Sequence, residues 1–172
     1  KKEFEITGFD PAYEGSNNSI IKAAFEQKSS FQAKGVILRH VLEHIKNPYE
    51  FLENIRLAND GKGKIYIEVP CFDWILKNNA WYDIYYEHVN YFRLSDLKNM
   101  FSVVHDFGRL FGDQYIYIVA DLASLRIPIY DKNNSIKFPE DFIKNIHSMN
   151  ENLNPNKKSF VCIDWQRYVT LV

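Results

Sequence analysis

Val36-Ile37-Leu38-Arg39-His40-Val41-Leu42-Glu43-His44-Ile45-Lys46-Asn47-Pro48 decides the fold. Its first three residues form a continuous apolar run, the signature of a strand buried on both faces. A polar cluster follows at once: Arg39, His40, Glu43 and His44. Asn47-Pro48 then predicts a helix start, with Asn as N-cap and Pro at the first helical position. Phe51, Leu52, Ile55 and Ala58 fall on one helical face, and Asn59-Asp60-Gly61 ends the run. Ile65-Tyr66-Ile67-Glu68-Val69, closed by Pro70, is the next strand. Strand, helix and strand in this order argue a parallel sheet with helices packed on it.

Upstream, Phe4 and Ile6 alternate with polar neighbours until Thr7-Gly8-Phe9-Asp10-Pro11, a short strand with Asp10 at its carboxyl end. After the loop Gly15-Ser16-Asn17-Asn18, Ser19 is placed to cap a helix through Ile20, Ile21, Ala24 and Phe25. Downstream, Phe72 to Phe92 carries Trp74, Trp81, Tyr82, Tyr85, Tyr86 and Tyr91 and follows neither the helical nor the strand period. Ser95 is expected to cap a helix through Leu97, Met100 and Phe101. His105–Leu110 and Tyr115–Ala120 flank Phe111-Gly112-Asp113 as a hairpin. Pro139 opens an amphipathic stretch through Phe142, Ile143, Ile146, Met149 and Leu153. Asn154-Pro155-Asn156 breaks that stretch, and Phe160-Val161-Cys162-Ile163 reads as another strand. The expected organisation is a partial core over residues 1–126, with a helix and strand over 127–172 that form either a separate element or the start of a second domain.

The 172 residues carry 21 Lys and Arg against 22 Asp and Glu, a net charge of -1. That balance gives no electrostatic footprint for nucleic acid or an anionic membrane. No apolar run approaches the roughly 20 residues of a membrane helix. Cys71 and Cys162 alone make neither a disulfide framework nor a four-ligand zinc site, and a reducing cytoplasm is the simplest compartment. A chain that opens on Lys1 and stops inside the apolar run Tyr168–Val172 reads as part of a longer protein.

Three constellations could carry chemistry. Asp10, at a strand's carboxyl end, lies where open parallel sheets bind ligands, and its carboxylate can accept from a ribose diol; Asp10-Pro11 is equally a turn starter. His40-Val41-Leu42-Glu43-His44 matches the H-x-x-E-H string of zinc hydrolases. Zinc chemistry by that motif needs both histidines on one face of a continuous helix. Here the string follows a strand directly, so a short turn and no bound metal are expected. Tyr85-Tyr86-Glu87-His88 sets a Glu beside a His under aromatic cover, a pairing in which burial tunes either group as a base. The same stretch would serve equally as core.

Taken in order, G-F-D-P-A-Y after a strand, V-I-L-R-H-V-L-E-H-I-x-N-P, I-Y-I-E-V-P and Y-x-E-H-x-x-Y-F resemble the class I S-adenosylmethionine-dependent methyltransferases, in particular the branch that C-methylates nucleotide-linked sugars. The resemblance spans about Phe4 to Arg126. It implies a Rossmann-like, mostly parallel sheet with a C-terminal antiparallel hairpin, and S-adenosylmethionine as cofactor. It places Asp10 on the cofactor's ribose, Pro11 against the adenine, and Leu38, Arg39 and His40 along the methionyl and sulfonium region. Tyr85, Glu87 and His88 match the catalytic cluster that deprotonates a small methyl acceptor, with a nucleotide sugar as the implied partner. Tyr86 stands where that branch often has His. The family's Gly-rich loop and the first strand before it have no counterpart in the sequence. A non-catalytic, partner-binding relative of the same fold is the alternative reading.

Overall fold

The computed structural model describes residues 5–25, 31–129, 133, 135–136, 138–145 and 148. Two sheets are present among them. The smaller pairs β1 (Gly8–Phe9) with β2 (Ile20–Ile21) in parallel. The larger has four strands in the order β3 (Gly35–Arg39), β4 (Lys64–Pro70), β6 (Tyr115–Asp121), β5 (Val104–Leu110). β3 runs parallel to β4, while β6 is antiparallel to both β4 and β5. The fold is thus mixed α/β, consistent with a Rossmann-like methyltransferase architecture. The larger sheet is not mostly parallel, because the second hairpin strand inserts beside β4 and makes two of its three pairings antiparallel.

The apolar ladder follows the register. Ile65, Ile67 and Val69 lie opposite Ala120, Ile118 and Ile116, and all six are buried on one face. Leu52 and Ile55 of α1 (Pro48–Ala58) and Leu97 of α3 (Leu94–Asn99) belong to the same core cluster. Each such side chain contributes about 1.5–3 kcal/mol by leaving water. The opposite face carries Ile37, Tyr66 and Tyr117, and Ile37 is 70% exposed. β3 is therefore covered on one face among the described residues, not on both as its apolar run predicts: Leu38 turns into the core and Ile37 turns away.

Local chemistry explains the boundaries. Asn47 caps α1 by accepting from the Glu50 backbone N–H at 3.3 Å, and Pro48 occupies the first helical position. The buried Asn59 side chain accepts from Ala33 N–H and donates to the Ala33 and Lys62 carbonyls, tying the helix end to the entry of β3. Gly63 at φ +83° lies where a Cβ would meet the Ala33 carbonyl oxygen at 2.7 Å, so only glycine fits this approach. The hairpin turn sets Phe111, Gly112 and Asp113 all at positive φ.

Two expected elements differ. Ser19–Phe25 is not a helix: Ile20 and Ile21 form β2, anchored by Gly8 N–H to the Ser19 carbonyl and Asp10 N–H to the Ile21 carbonyl. Nucleating a seven-residue helix is costly, and two β-branched residues favour pairing. Ser95 is not the cap of α3; Arg93 occupies that position, its backbone N–H donating to Asp96. The aromatic stretch contains α2 (Phe72–Lys77) and a 3-10 turn at Trp81–Asp83. The start of the first expected strand at Phe4, residues 146–147 and 149–153 of the stretch opened by Pro139, and the strand at Phe160–Ile163 lie outside the described residues. No helix among the described residues is long and apolar enough to cross a membrane.

Candidate functional site

The carboxyl ends of β3 and β4 and the first residue of β6 meet at one end of the sheet, since Arg39 pairs with Glu68 and Pro70 with Tyr115. β3 stops at Arg39, and His40 adopts φ +51° while its N–H donates to the Glu68 carbonyl at 3.0 Å. A non-glycine residue held in the left-handed region is uncommon and costs of order 1–3 kcal/mol, and such strain gathers at functional sites. The chain then forms a 3-10 turn at Leu42–His44. The short turn expected for the H-x-x-E-H string is thus present. His40 Nε2 lies 3.2 Å from Glu68, whereas His44 faces the aromatic segment.

That segment docks on the turn through backbone bonds. The N–H groups of Val89 and Asn90 both donate to the Glu43 carbonyl, and the Asn90 amide donates to the Ile45 carbonyl. His44 Nδ1 lies 2.9 Å from the Glu87 carbonyl, and His88 Nδ1 lies 3.1 Å from the Asp83 carbonyl. A carbonyl oxygen only accepts, so each Nδ1 carries the hydrogen. The His44 and His88 rings are 5.0 Å apart, and Tyr85 packs on His88 at 4.1 Å.

Glu43 lies beside these rings, 1% exposed, with neither carboxylate oxygen hydrogen-bonded. Its Oε1 lies 3.6 Å from His40 Nδ1 and 3.9 Å from His44 Nε2, both beyond hydrogen-bond range. His88, 8% exposed, also buries an Nε2 without a hydrogen-bond partner. Burial pushes the His88 pKa below its ordinary value, with the Glu43 charge opposing, so the ring is held neutral.

Glu68 contrasts with Glu43. It accepts from Arg39 Nη2 at 3.1 Å and from the Tyr66 hydroxyl at 2.5 Å. Burial pushes its carboxyl up; the hydrogen bonds from Tyr66 and Arg39, with the Arg39 and His40 charges, outweigh that and leave it below the usual carboxylate range. The same contact and burial push the Tyr66 phenol up to about 12. Tyr115 sits 4.8 Å from the His40 ring, and burial followed by the charges of Asp83, Glu68 and Glu43 raises its phenol too.

The structure therefore gathers Arg39, His40, Tyr85 and His88 of the sequence-predicted residues at one sheet end, with Leu38 buried just behind. Glu87 points its carboxylate to the Tyr86 hydroxyl at 2.9 Å, and Tyr86 is 84% exposed. Asp10 lies at the carboxyl end of β1 in the smaller sheet, its Oδ1 accepting from Ala12 N–H at 2.8 Å, with Pro11 exposed in the turn. Glu43, Glu68 and Tyr115 are members of the cluster that the sequence gives no separate reason to select. Glu43 was readable only as the middle of a zinc string.

A family model described as a methyltransferase domain matches residues 1–104. The chain belongs to that methyltransferase family. No curated protein matches it.

Proposed function

We propose that the protein transfers a methyl group from S-adenosylmethionine to a carbon of a small acceptor, of the kind presented by a nucleotide-linked keto sugar. One observation carries this reading: the segment after β3 and the aromatic segment meet at the carboxyl end of the sheet, where open α/β sheets bind their ligands. The donor set suits the cofactor, because the Glu68 carboxylate and the Tyr115 ring border His40 and favour a cation such as a sulfonium. Asp10 would hold the ribose hydroxyls and Pro11 the adenine, with Leu38, Arg39 and His40 along the methionyl part. When bound, S-adenosylmethionine supplies an electrophilic methyl group.

On the acceptor side, Glu87 is the base. Its half-buried carboxylate, steadied by Tyr86, reaches solvent and can take the proton from the carbon beside a keto group. Tyr85 shapes the acceptor's seat, and His88 anchors the segment through Asp83. The two separate sheets fit the same reading, in which a strand bearing the Gly-rich loop lies between β1 and β3.

The test is calorimetric titration of the full-length protein with S-adenosylmethionine and with its demethylated product. Both should bind, and Asp10→Ala should weaken binding by about 1.5–3 kcal/mol, the range for hydrogen bonds to a charged group. Glu87→Gln should lower turnover by roughly 10²–10⁴-fold with cofactor affinity unchanged. No binding by the full-length protein would favour the non-catalytic, partner-binding reading.

A further inference from the structure

We infer that Glu43, His44 and His88 form a binding site for one divalent transition-metal ion. A Glu43 carboxylate oxygen, a ring nitrogen of His44 and a ring nitrogen of His88 all lie within 4.8 Å of one another. Both Nδ1 atoms face backbone carbonyls, so Nε2 is the nitrogen each ring can offer to an ion, and a carboxylate offers oxygen acceptors as well. Three acceptors converge with no hydrogen bond to the Glu43 oxygens or to His88 Nε2. Burying a carboxylate in that state costs several kcal/mol unless a cation joins it.

The surroundings are those of a metal centre. Histidine ligands characteristically donate the second ring nitrogen to a carbonyl or carboxylate, which fixes the tautomer and the ring's orientation. Here the Glu87 and Asp83 carbonyls do this for His44 and His88. Two imidazoles and one carboxylate suit Zn2+ or Co2+, and three protein ligands leave a further position for water or an acceptor oxygen. Zinc bonds of about 2.0–2.2 Å set ligand atoms roughly 3.4 Å apart. Glu43 Oε1 and His44 Nε2 stand 3.9 Å apart, and no hydrogen bond holds the Glu43 carboxylate back from closing on the ion.

This set is not the H-x-x-E-H pair weighed from the sequence: His40 is engaged by Glu68, and the third ligand comes from the aromatic segment. The sequence expectation of no metal rested on the string alone. With His88 as a ligand, proton abstraction stays with Glu87. The inference rests on side-chain geometry and goes beyond the proposed methyl transfer.

The experiment is titration of metal-free, full-length protein with Zn2+ by calorimetry and with Co2+ by visible spectroscopy. One equivalent of Zn2+ should bind, and Co2+ should give the intense d–d bands of a four-coordinate nitrogen and oxygen site. Glu43→Gln and His88→Ala should each weaken Zn2+ by at least about 100-fold, more than the usual loss of an outer-shell partner. His105→Ala, whose ring pairs with Asp121 on β6, should leave affinity unchanged. Circular dichroism identifies any variant that fails to fold, and Glu43→Gln, which removes no hydrogen bond, then decides. Absence of stoichiometric binding, or binding unaffected by Glu43→Gln, overturns the inference. Cofactor titration is a separate readout, so either proposal can fail alone.

Discussion

Glu68 and Glu43 are both buried carboxylates beside His40, and they are solved in opposite ways. Glu68, 2% exposed, takes a hydrogen bond from the Tyr66 hydroxyl, two from Arg39 and a close contact from His40. Glu43, 1% exposed, has its carbonyl bonded twice to the aromatic segment while its carboxylate receives nothing. A partnered buried carboxylate is part of the scaffold. One buried without donors makes a net unfavourable contribution to the fold, and that cost is expected where a ligand completes the set.

The contrast can be broken most readily at Glu68. Glu68→Ala leaves the Tyr66 hydroxyl and His40 without their acceptor and should lower unfolding free energy by about 1–3 kcal/mol in urea denaturation at neutral pH. Its carboxyl lies below the ordinary value of 4.5 in the folded state, so folding holds its charged form. That stabilisation is fully present above the unfolded value and lost as pH falls through the lower folded value. The gap between the native protein and Glu68→Ala should therefore narrow as pH drops below about 4.5. A gap that stays constant through that window would assign the loss to packing. A smaller effect is expected at Arg39, whose side chain is 57% exposed. Arg39→Met should cost no more than about 1 kcal/mol, because an exposed partner pays in entropy and solvent screening what it gains in attraction.

How far the sequence reaches is visible in the same region. β3, α1 and β4 were legible because an apolar run, an Asn-Pro cap and a second apolar run are local signals, and the hairpin was legible because Phe111-Gly112-Asp113 marks its turn. β2 was not, since two isoleucines after a serine satisfy a helical pattern as well as a strand, and the pairing with Gly8–Phe9 that decides between them is tertiary. The expected burial of β3 on both faces failed for the same reason: an apolar triplet does not say which elements cover it. In the site, the strand-end string and the Tyr85–His88 segment could each be singled out. Their contact could not, because it is made by the Val89 and Asn90 backbone on the Glu43 carbonyl, and backbone groups carry no sequence signal. The capture of His40 by Glu68, which separates the two histidines of the string, is equally a product of the β3–β4 register.

With a metal site there, Glu43 is kept for a ligand and not for the fold, which urea denaturation of Glu43→Gln in metal-free buffer puts to the test. Replacing a buried carboxylate that has no donor by a neutral amide of the same shape removes a desolvation cost and no hydrogen bond. Stability equal to or above that of the native protein is expected. A loss comparable to that of Glu68→Ala would contradict it and make Glu43 a second structural carboxylate.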